Sequence, residues 1–310
     1  MKKVNRRTFF STSIKAAAAA SLPVSFPRTA LANPEGVPGN NRDHPSIIDT
    51  NINLFDWPFR KLKYGDTEAL ISKLRKHRVE QAWAGSFEAL FHKDINGVNS
   101  RLAKECRTLG KGMLVPFGTV NLAWPDWEED LRRCQEEFKM PGVRIYPIYQ
   151  TFDPDHPDFT RLVELVTKRN MILQIVGDMD DIRNHHPIVL IRELNMHPIV
   201  DILKKFPKVK IQMLYWNHRV GADVLERLVK ETNTVFDTAR IETSGGVGRL
   251  IEGKPWSGSP DIPVPVERIL FGSHAPYFPI ESSLLKLIEA PLNEGQAKAI
   301  MNENASRFLG

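Results

Sequence analysis

Short apolar runs alternate with stretches of helical period from about residue 47 to the end of the chain. Runs of this length that stop at turn residues are typical of strands buried on both faces. Eight such strands are predicted, at residues 47–53, 81–84, 113–120, 142–146, 171–176, 209–214, 234–237 and 269–271.

Helical patterns fill the segments between these runs. Asp66 is placed to cap a helix with Leu70 and Leu74 on one face, and apolar residues recur at i, i+4, i+7 and i+11 from Trp127. Further helices are predicted near residues 95–109, 159–166, 198–205 and 224–229. The alternation, without a break in composition, predicts an α/β protein with a single (β/α)8 TIM barrel over residues 46–310. The competing architecture, an open doubly wound sheet, lacks its glycine-rich phosphate loop here.

The last predicted strand ends at Gly272-Ser273, and His274 follows directly. Barrels of this class bind ligands at the carboxyl ends of their strands, where a histidine can act as an acid, a base or a hydrogen-bond donor. His274 is therefore a candidate catalytic residue, and the alternative is a structural histidine that ties the turn to a backbone carbonyl. The segment from Ser244 to Pro265 is too long for a simple connection and is expected either to cover the site or to be a surface loop without a role.

Residues 1–32 have the composition of a cleaved export signal. Five basic residues and no acidic one lie in the first 15 positions, a weakly apolar stretch begins at Ala16, and Ala30-Leu31-Ala32 supplies a cleavage sequence. Arg6-Arg7 before Thr8-Phe9-Phe10 resembles a twin-arginine signal, and the alternative is an ordinary secretory signal. The mature protein is predicted to be exported, periplasmic or extracellular, with residues 33–45 as a flexible lead-in.

This signal also accounts for the basic charge of the chain. The sequence has 42 Lys and Arg against 37 Asp and Glu, but six of the basic residues lie in the signal, which leaves 36 against 37. Binding to nucleic acid or to an anionic membrane needs clusters of uncompensated basic residues, so neither partner is expected. A small-molecule substrate is expected, without a membrane anchor after cleavage, and the pattern leaves a homo-oligomer open.

Four segments in a fixed order carry a resemblance to a known family: Ile48–Asn53, Phe206–Ile211, Leu270–Pro276 and Asn304–Leu309. They span nearly all of the mature chain, and together they resemble the amidohydrolase-related family of metal-dependent barrel enzymes. The resemblance implies a TIM barrel and hydrolysis or non-oxidative decarboxylation of a small organic substrate.

Members of that family place an H-x-H motif at the end of strand one, a histidine on each of strands five and six, and an aspartate after strand eight. These side chains hold a divalent metal such as zinc, which acidifies a bound water. At these positions the present sequence has Asn51, Asn53, Gln174 or Val176, Tyr215 and His274. Carboxamides and a neutral phenol are poor ligands for zinc, so the metal site cannot be carried over and the cofactor stays unknown.

Three interpretations follow. One is a hydrolase or lyase with a rebuilt, metal-free site, in which His274, Asp178 or Asp181 is the general acid or base. A second is a different metal site on the loop after strand five, which contains Asp178, Asp180, Asp181, His185 and His186. The third is a barrel that binds a ligand without turnover.

The sequence also predicts a polar pocket. Asn51 and Asn53 alternate with Ile52 and so point to one side of strand one. Arg144 and Tyr146 lie two residues apart and so point to one side of strand four. An arginine inside an apolar strand needs an anionic partner, supplied by a ligand or by Asp49, Asp178 or Asp237. The residues predicted to bind substrate are Asn51, Asn53, Arg144, Tyr146, Gln174, Arg183, His185 and Tyr215.

Two neighbouring segments are weaker candidates. Trp57–Arg60, after strand one, is placed to form a wall and an anion anchor, although aromatic residues there more often only pack. Asp237, at the end of strand seven, and the neighbouring Arg240 and Glu242 are placed either to contribute a carboxylate to the site or to cap the next helix. Cys106 and Cys134 are interpreted as buried free thiols, and the alternative is a disulfide bond between them, which an oxidising compartment would permit.

Overall fold

The computed structural model describes residues 45–181, 183, 185–189, 194–217, 220–253 and 261–310. Eight parallel strands form one sheet in the order β1 to β8. They are β1 (Ile47–Leu54), β2 (Val79–Ser86), β3 (Leu114–Gly118), β4 (Gly142–Ile145), β5 (Ile172–Val176), β6 (Lys210–Leu214), β7 (Val235–Asp237) and β8 (Ile269–Leu270). All eight predicted strands are present, within two residues of their predicted bounds.

Helices connect successive strands and cover the outside of the sheet. They are α1 (Thr67–Lys76), α2 (Ile95–Glu105), α3 (Trp127–Glu136), α4 (Pro147–Gln150), α5 (Pro157–Lys168), α6 (His197–Leu203), α7 (Ala222–Glu231), α8 (Gly246–Glu252), α9 (Ile280–Glu289), α10 (Glu294–Lys298) and α11 (Asn304–Leu309). Short 3₁₀ turns span Phe87–Leu90 and Val266–Arg268, and π turns span Cys106–Gly110 and Ala299–Glu303. Asp66 caps α1 as predicted, since its side chain accepts a hydrogen bond from the Ala69 backbone N–H at 2.9 Å.

Backbone hydrogen bonds between β1 and the chain after β8 close the sheet into a barrel. The Thr50 N–H donates to the Phe271 carbonyl at 2.9 Å, and the His274 N–H donates to the Asn51 carbonyl at 2.8 Å. Ile52 and Ala275 form a parallel bridge. The predicted single (β/α)8 barrel is thereby confirmed, and the open-sheet alternative is excluded.

The barrel interior is layered along its axis. At the amino ends of the strands, Trp83 stacks on Phe117 with ring centroids 5.1 Å apart, and Ala305 and Phe308 of α11 pack below them. Polar side chains form the middle layer. Aromatic residues that follow the strands, including Tyr146 and Tyr277, cover this layer at the carboxyl ends. A polar layer is therefore enclosed between two apolar ones.

Some expectations change or fall outside the described residues. The predicted export signal, residues 1–32, and nearly all of the predicted lead-in, residues 33–45, lie outside the described residues. Residues 246–252 of the long segment after β7 form the regular helix α8, so that segment is not merely a loop; residues 254–260 lie outside the described part. Cys106 and Cys134 are buried free thiols, as predicted. None of the helices in the described residues is long and apolar enough to cross a bilayer.

Asn304 fastens the C-terminal helix to the last barrel strand. Its Nδ2 donates to the carbonyls of Val266 at 2.7 Å and Ile269 at 2.9 Å. In an Asn304→Asp variant, a carboxyl oxygen would face both carbonyls and two hydrogen bonds would be lost at a site that is 2% exposed. We expect the free energy of unfolding to fall by about 2–3 kcal/mol, measured by urea denaturation.

The matched control is Asn293→Asp. Asn293 caps α10 by accepting from the Gln296 backbone N–H at 2.9 Å, a role that aspartate performs equally well. The control should change stability by only a few tenths of a kcal/mol. Equal effects of the two substitutions would contradict the role assigned to Asn304.

Candidate active site

The polar layer begins with an irregularity in β1. The register of β1 against β2 shifts between Asp49 and Ile52, which is the signature of a bulge. As a result, Thr50 and Asn51 both reach interior partners: the Thr50 hydroxyl accepts from Gln212 Nε2 at 2.7 Å, and Asn51 Nδ2 donates to Asp237 Oδ2 at 2.6 Å. Ile52 packs on the opposite side, in the main core. Asn51 and Asn53 thus share the interior face, as their spacing predicts.

Arg144 lies at the centre of this layer. Its Nε donates to Gln174 Oε1 at 2.8 Å, and its Nη1 donates to Asn53 Oδ1 at 2.9 Å and to the Ile52 carbonyl at 3.0 Å. Nη2 lies 3.4 Å from the Trp83 carbonyl. These acceptors are amide and backbone oxygens, so the direct ion pair or ligand carboxylate expected from the sequence does not account for this arginine. The guanidinium is fully buried.

Tyr215 links the two asparagines. Its hydroxyl donates to Asn51 Oδ1 at 2.6 Å and accepts from Asn53 Nδ2 at 3.2 Å. Gln174 extends the network on the other side by donating to Gln212 Oε1 at 2.8 Å. The resulting chain of hydrogen bonds crosses the barrel from β6 through β5, β4 and β1 to β7.

The donor set, as arranged, does not fit a divalent metal. The side-chain oxygens of Asn51, Asn53 and Gln174 each accept a hydrogen bond from a tyrosine hydroxyl or an arginine N–H, and a guanidinium already lies among them. Carboxamide oxygens are also poor ligands for zinc. Among the residues that the structure describes, no group of three or more His, Cys, Asp and Glu side chains is placed to hold a metal ion.

Two carboxyl groups are buried in the same layer. Asp49 Oδ1 accepts from the backbone N–H groups of Asn51 at 3.1 Å and Ser273 at 3.0 Å, and Asp237 Oδ1 accepts from the Tyr215 N–H at 3.1 Å. Burial raises the pKa of Asp49 to about 7 and that of Asp237 to about 6. Both groups therefore exchange protons near neutral pH.

His274 is fully buried at the carboxyl end of the barrel. Its ring is parallel to that of Tyr277, with centroids 4.7 Å apart, and lies 4.2 Å from the Tyr215 ring. Neither ring nitrogen has a hydrogen-bond partner in the structure. Burial, reinforced by the charge of Arg240, holds the pKa of His274 well below its usual range. The imidazole is neutral at pH 7 and retains one donor and one acceptor for another group.

A cleft of about 570 Å³ lies above this histidine, with Tyr277 as part of its lining. It is built from the segments that follow β1, β5, β7 and β8. The lining residues are Trp57, Phe59, Arg60, Asp180, Asp181, His185, His186, Pro187, Arg240, Glu242, Tyr277 and Phe278. The cleft thus combines aromatic rings with charged groups of both signs.

The predicted site residues fall into two groups. Asn51, Asn53, Arg144, Gln174, Tyr215 and His274 belong to the buried layer, together with Tyr146, whose hydroxyl lies 3.4 Å from the Ser86 carbonyl. Asp181 and His185 line the cleft. Arg183 is largely exposed and forms an ion pair with Asp181, which lowers the pKa of that carboxyl. Asp178 is buried below the cleft, where its carbonyl accepts from Arg240 Nη1 at 2.7 Å.

Several members of the site were not predicted from the sequence. Gln212 and Thr50 belong to the polar layer, and Gly85 leaves room for Arg144, since a Cβ there would lie 2.5 Å from Nη1. Gln212 was predictable, because the alternation of side chains along β6 points it into the barrel. No pattern in the sequence indicates the bulge that turns Thr50 inward or the placement of Tyr277 over His274.

The buried Asp49 gives stability a specific pH dependence. Its pKa is raised in the folded state from 3.8 to about 7, so the folded protein binds this proton more tightly than the unfolded chain does. The free energy of unfolding should therefore fall as pH rises from about 4 to about 7. An Asp49→Asn variant, which keeps the accepting oxygen but cannot ionise, should gain about 2–4 kcal/mol over the wild type between these limits, measured by denaturation at each pH.

Asp66→Asn serves as the control, because Asp66 is exposed and asparagine also caps helices well. Its stability difference from the wild type should stay nearly constant over the same pH range. A constant difference for Asp49→Asn as well would show that Asp49 does not titrate in this way.

Comparisons with known proteins agree with this architecture. The sequence profile of the amidohydrolase family, described as "Amidohydrolase", matches residues 56–214. Comparison with curated proteins finds no match. Among solved structures, the chain is similar to 2,6-dihydroxybenzoate decarboxylase from Rhizobium, with a TM-score of 0.65 and 14% identity over 86% of this chain and 98% of that one.

Two further structures show the same likeness. 5-Carboxyvanillate decarboxylase from Sphingomonas paucimobilis has a TM-score of 0.63 and 13% identity over 85% of this chain and 98% of that one. Dihydroxybenzoic acid decarboxylase from a Polaromonas species, solved with bound manganese and the inhibitor 2-nitroresorcinol, has a TM-score of 0.63 and 14% identity over 86% of this chain and 97% of that one. At such low identity these likenesses show the fold, whereas the profile match spans half of the sequence. The chain belongs to the amidohydrolase family.

Proposed function

We propose that this protein is an exported, metal-independent enzyme of the amidohydrolase family, a hydrolase or non-oxidative decarboxylase that acts on a small organic carboxylate. The observation that carries the proposal is a cleft that contains arginines and aromatic rings, one of which, Tyr277, stacks on a buried neutral histidine. Family membership supports hydrolase or lyase chemistry, and the structural neighbours include decarboxylases of aromatic carboxylates.

The cleft suits a flat, anionic ligand. Trp57 contacts Phe59 and Tyr277 edge to face, with centroids 5.5 and 5.3 Å apart, so the aromatic wall is already ordered. Arg60 lies over the Tyr277 ring, 4.3 Å from its centroid, and donates to the Tyr277 carbonyl at 2.9 Å. Rings such as these stack with a planar substrate, and exposed guanidinium N–H groups pair with its carboxylate.

Arg240 is the proposed carboxylate anchor. It is 4% exposed, and its Nε lies 3.3 Å from an oxygen of Glu242, whose side chain is half exposed. A long ion pair with an exposed glutamate contributes little free energy, so a ligand carboxylate can replace Glu242 at small cost. A cation buried in this way then binds the anion more strongly than a surface arginine would.

His274 is the proposed proton-transfer residue. In decarboxylation the bond between the ring carbon and the carboxyl carbon breaks, CO₂ leaves, the electron pair of that bond stays on the ring carbon and takes the imidazole N–H proton, and solvent water returns a proton to the imidazole. In hydrolysis the unprotonated nitrogen takes a proton from water while the water oxygen bonds to the substrate carbonyl carbon, and the same proton then passes to the leaving group as its bond to that carbon breaks. Either role needs a neutral imidazole with a free nitrogen near the substrate. Because Tyr277 covers His274, its ring must move aside for contact with the substrate.

A second function, ligand binding without turnover, is favoured by one observation. The polar layer is fully buried and satisfies most of its own hydrogen bonds, and Tyr277 covers the only predicted catalytic histidine. A barrel that remained closed would bind a carboxylate in the cleft and leave it unchanged. Thermal shift and turnover, measured with the same compounds, separate the two functions.

The central test is a His274→Asn variant assayed with aromatic carboxylates, beginning with 2,6-dihydroxybenzoate and 5-carboxyvanillate. Asparagine tolerates the left-handed backbone at this position, where φ is 61°, so the fold should be retained. We expect kcat to fall by about 10²–10⁴-fold, while the ligand-induced rise in melting temperature stays nearly unchanged. Product release is followed by chromatography.

Arg240→Gln provides the complementary result. Loss of the anchor should raise KM or the dissociation constant by about 10–100-fold, since a charged hydrogen bond contributes about 1.5–3 kcal/mol. Arg249→Gln, at an exposed arginine on α8, is the matched control and should change neither quantity.

Ligand-induced stabilisation without product from any compound would favour the binding function. A His274→Asn variant with full activity would remove His274 from the mechanism.

Export is the remaining part of the proposal and rests on the sequence of residues 1–32. We expect the exported protein to begin at Asn33, and an Arg6→Lys/Arg7→Lys variant to accumulate uncleaved inside the cell. N-terminal sequencing of the exported fraction checks both outcomes. Normal export of the double variant would indicate an ordinary secretory signal.

A further inference from the structure

We propose that the guanidinium of Arg144 is a permanent cation inside this barrel. It holds in place the side chains at the metal-ligand positions, as a bound metal ion would. This proposal deepens the metal-independent part of the proposed function and does not depend on the identity of the substrate. The inference rests on how the guanidinium is held, on the space made for it and on the charges around it.

Two of the side chains that hold Arg144 occupy positions at which the family has metal ligands. The resemblance to the family puts Asn53 where the second histidine of the H-x-H motif is expected, and Gln174 or Val176 where the histidine of strand five is expected. Each directs its side-chain oxygen to a guanidinium N–H, at 2.9 and 2.8 Å. Amide oxygens are good acceptors from guanidinium, whereas they are poor ligands for zinc. The donor types therefore suit the cation that is present.

Gly85 on β2 makes space for this cation. A Cβ at Gly85 would lie 2.5 Å from Nη1 and 2.8 Å from Cζ of Arg144, which is closer than real contacts allow. The pairing of Asn53 with Gly85 across β1 and β2 places this gap beside the asparagine that binds Nη1. The barrel wall is thus shaped around the guanidinium.

The surrounding charges also agree with an internal cation. Asp237 is buried in the same layer, and its bond to Asn51 connects it to Arg144 through Tyr215 and Asn53. A buried positive charge without anionic groups in its surroundings is costly, and buried carboxyls supply the balance. A divalent ion bound to the same amide oxygens would add two positive charges beside an arginine that cannot lose its proton.

The first experiment uses the wild-type protein and no enzyme assay. The purified mature protein is incubated with Mn²⁺ or Zn²⁺, desalted and analysed for metal, and its melting temperature is measured with and without EDTA. We expect the desalted protein to retain well below one equivalent of metal, and we expect EDTA to leave its melting temperature unchanged. Failure here leaves the substrate proposal intact, because neither measurement involves turnover.

A metal found in this experiment is located with an Asp180→Asn/His185→Ala/His186→Ala variant, which removes candidate ligands from the loop after β5. Loss of the metal in this variant would place it on the loop and leave the barrel interior as proposed. Retention of one equivalent, with a melting temperature that EDTA lowers, would place the metal elsewhere in the chain and overturn the proposal.

The second experiment tests the charge of Arg144 itself. An Arg144→Ala variant is heated with millimolar methylguanidinium or with methylurea, which has a similar planar shape and no charge. We expect methylguanidinium to raise the melting temperature of the variant by about 3 °C at ten times its dissociation constant, with no such rise for methylurea or for the wild type.

Some outcomes of this rescue experiment would contradict the proposal. Equal stabilisation by methylurea, or a folded variant that neither compound stabilises, would show that the positive charge is not needed and would overturn the proposal. If Arg144→Ala does not fold, Arg144→Lys and Arg144→Met are compared instead. The lysine variant should then be the more stable of the two, and the reverse order would count against an internal cation.

Discussion

A charged guanidinium enclosed in the centre of the barrel is the constraint on which the rest of the site depends. Removing such a group from water is unfavourable unless its N–H groups find acceptors, and Arg144 reaches Asn53, Gln174 and two backbone carbonyls. Once those oxygens are engaged, Tyr215 and Asn51 complete the remaining pairs. These side chains thereby satisfy one another, whereas Asp49 Oδ2 and both ring nitrogens of His274 have no hydrogen-bond partner in the structure.

The enclosing apolar layers reinforce this arrangement. Trp83 and Phe117 close the barrel below the polar layer, and Tyr277, stacked on His274, covers it above. Low polarity on both sides strengthens each hydrogen bond between them and raises the cost of breaking one. The same environment raises the pKa of the buried carboxyls and lowers that of His274, so their titration and the rigidity of the layer have a common cause.

The sequence predicted the barrel because strands buried on both faces are continuous apolar runs, and eight of them stand out between helical patterns. It also predicted that Asn51, Asn53, Arg144, Gln174 and Tyr215 share a pocket, since alternation within a strand fixes which side chains point inward. It could not predict the partner of Arg144. Several oxygens were available along the chain, and the choice among them depends on strand register and on the bulge at Thr50–Asn51, which no local pattern encodes. The position of Tyr277 above His274 depends in the same way on tertiary packing.

The polar layer is also coupled through shared hydrogen-bond partners. Asn53 serves both Arg144 and Tyr215, and Gln174 serves both Arg144 and Gln212. A histidine at either position would leave at least one buried group without its partner, so the cost of each substitution depends on the other residues of the network. The polar layer therefore behaves as one unit: the effects of substitutions within it on the free energy of unfolding do not add.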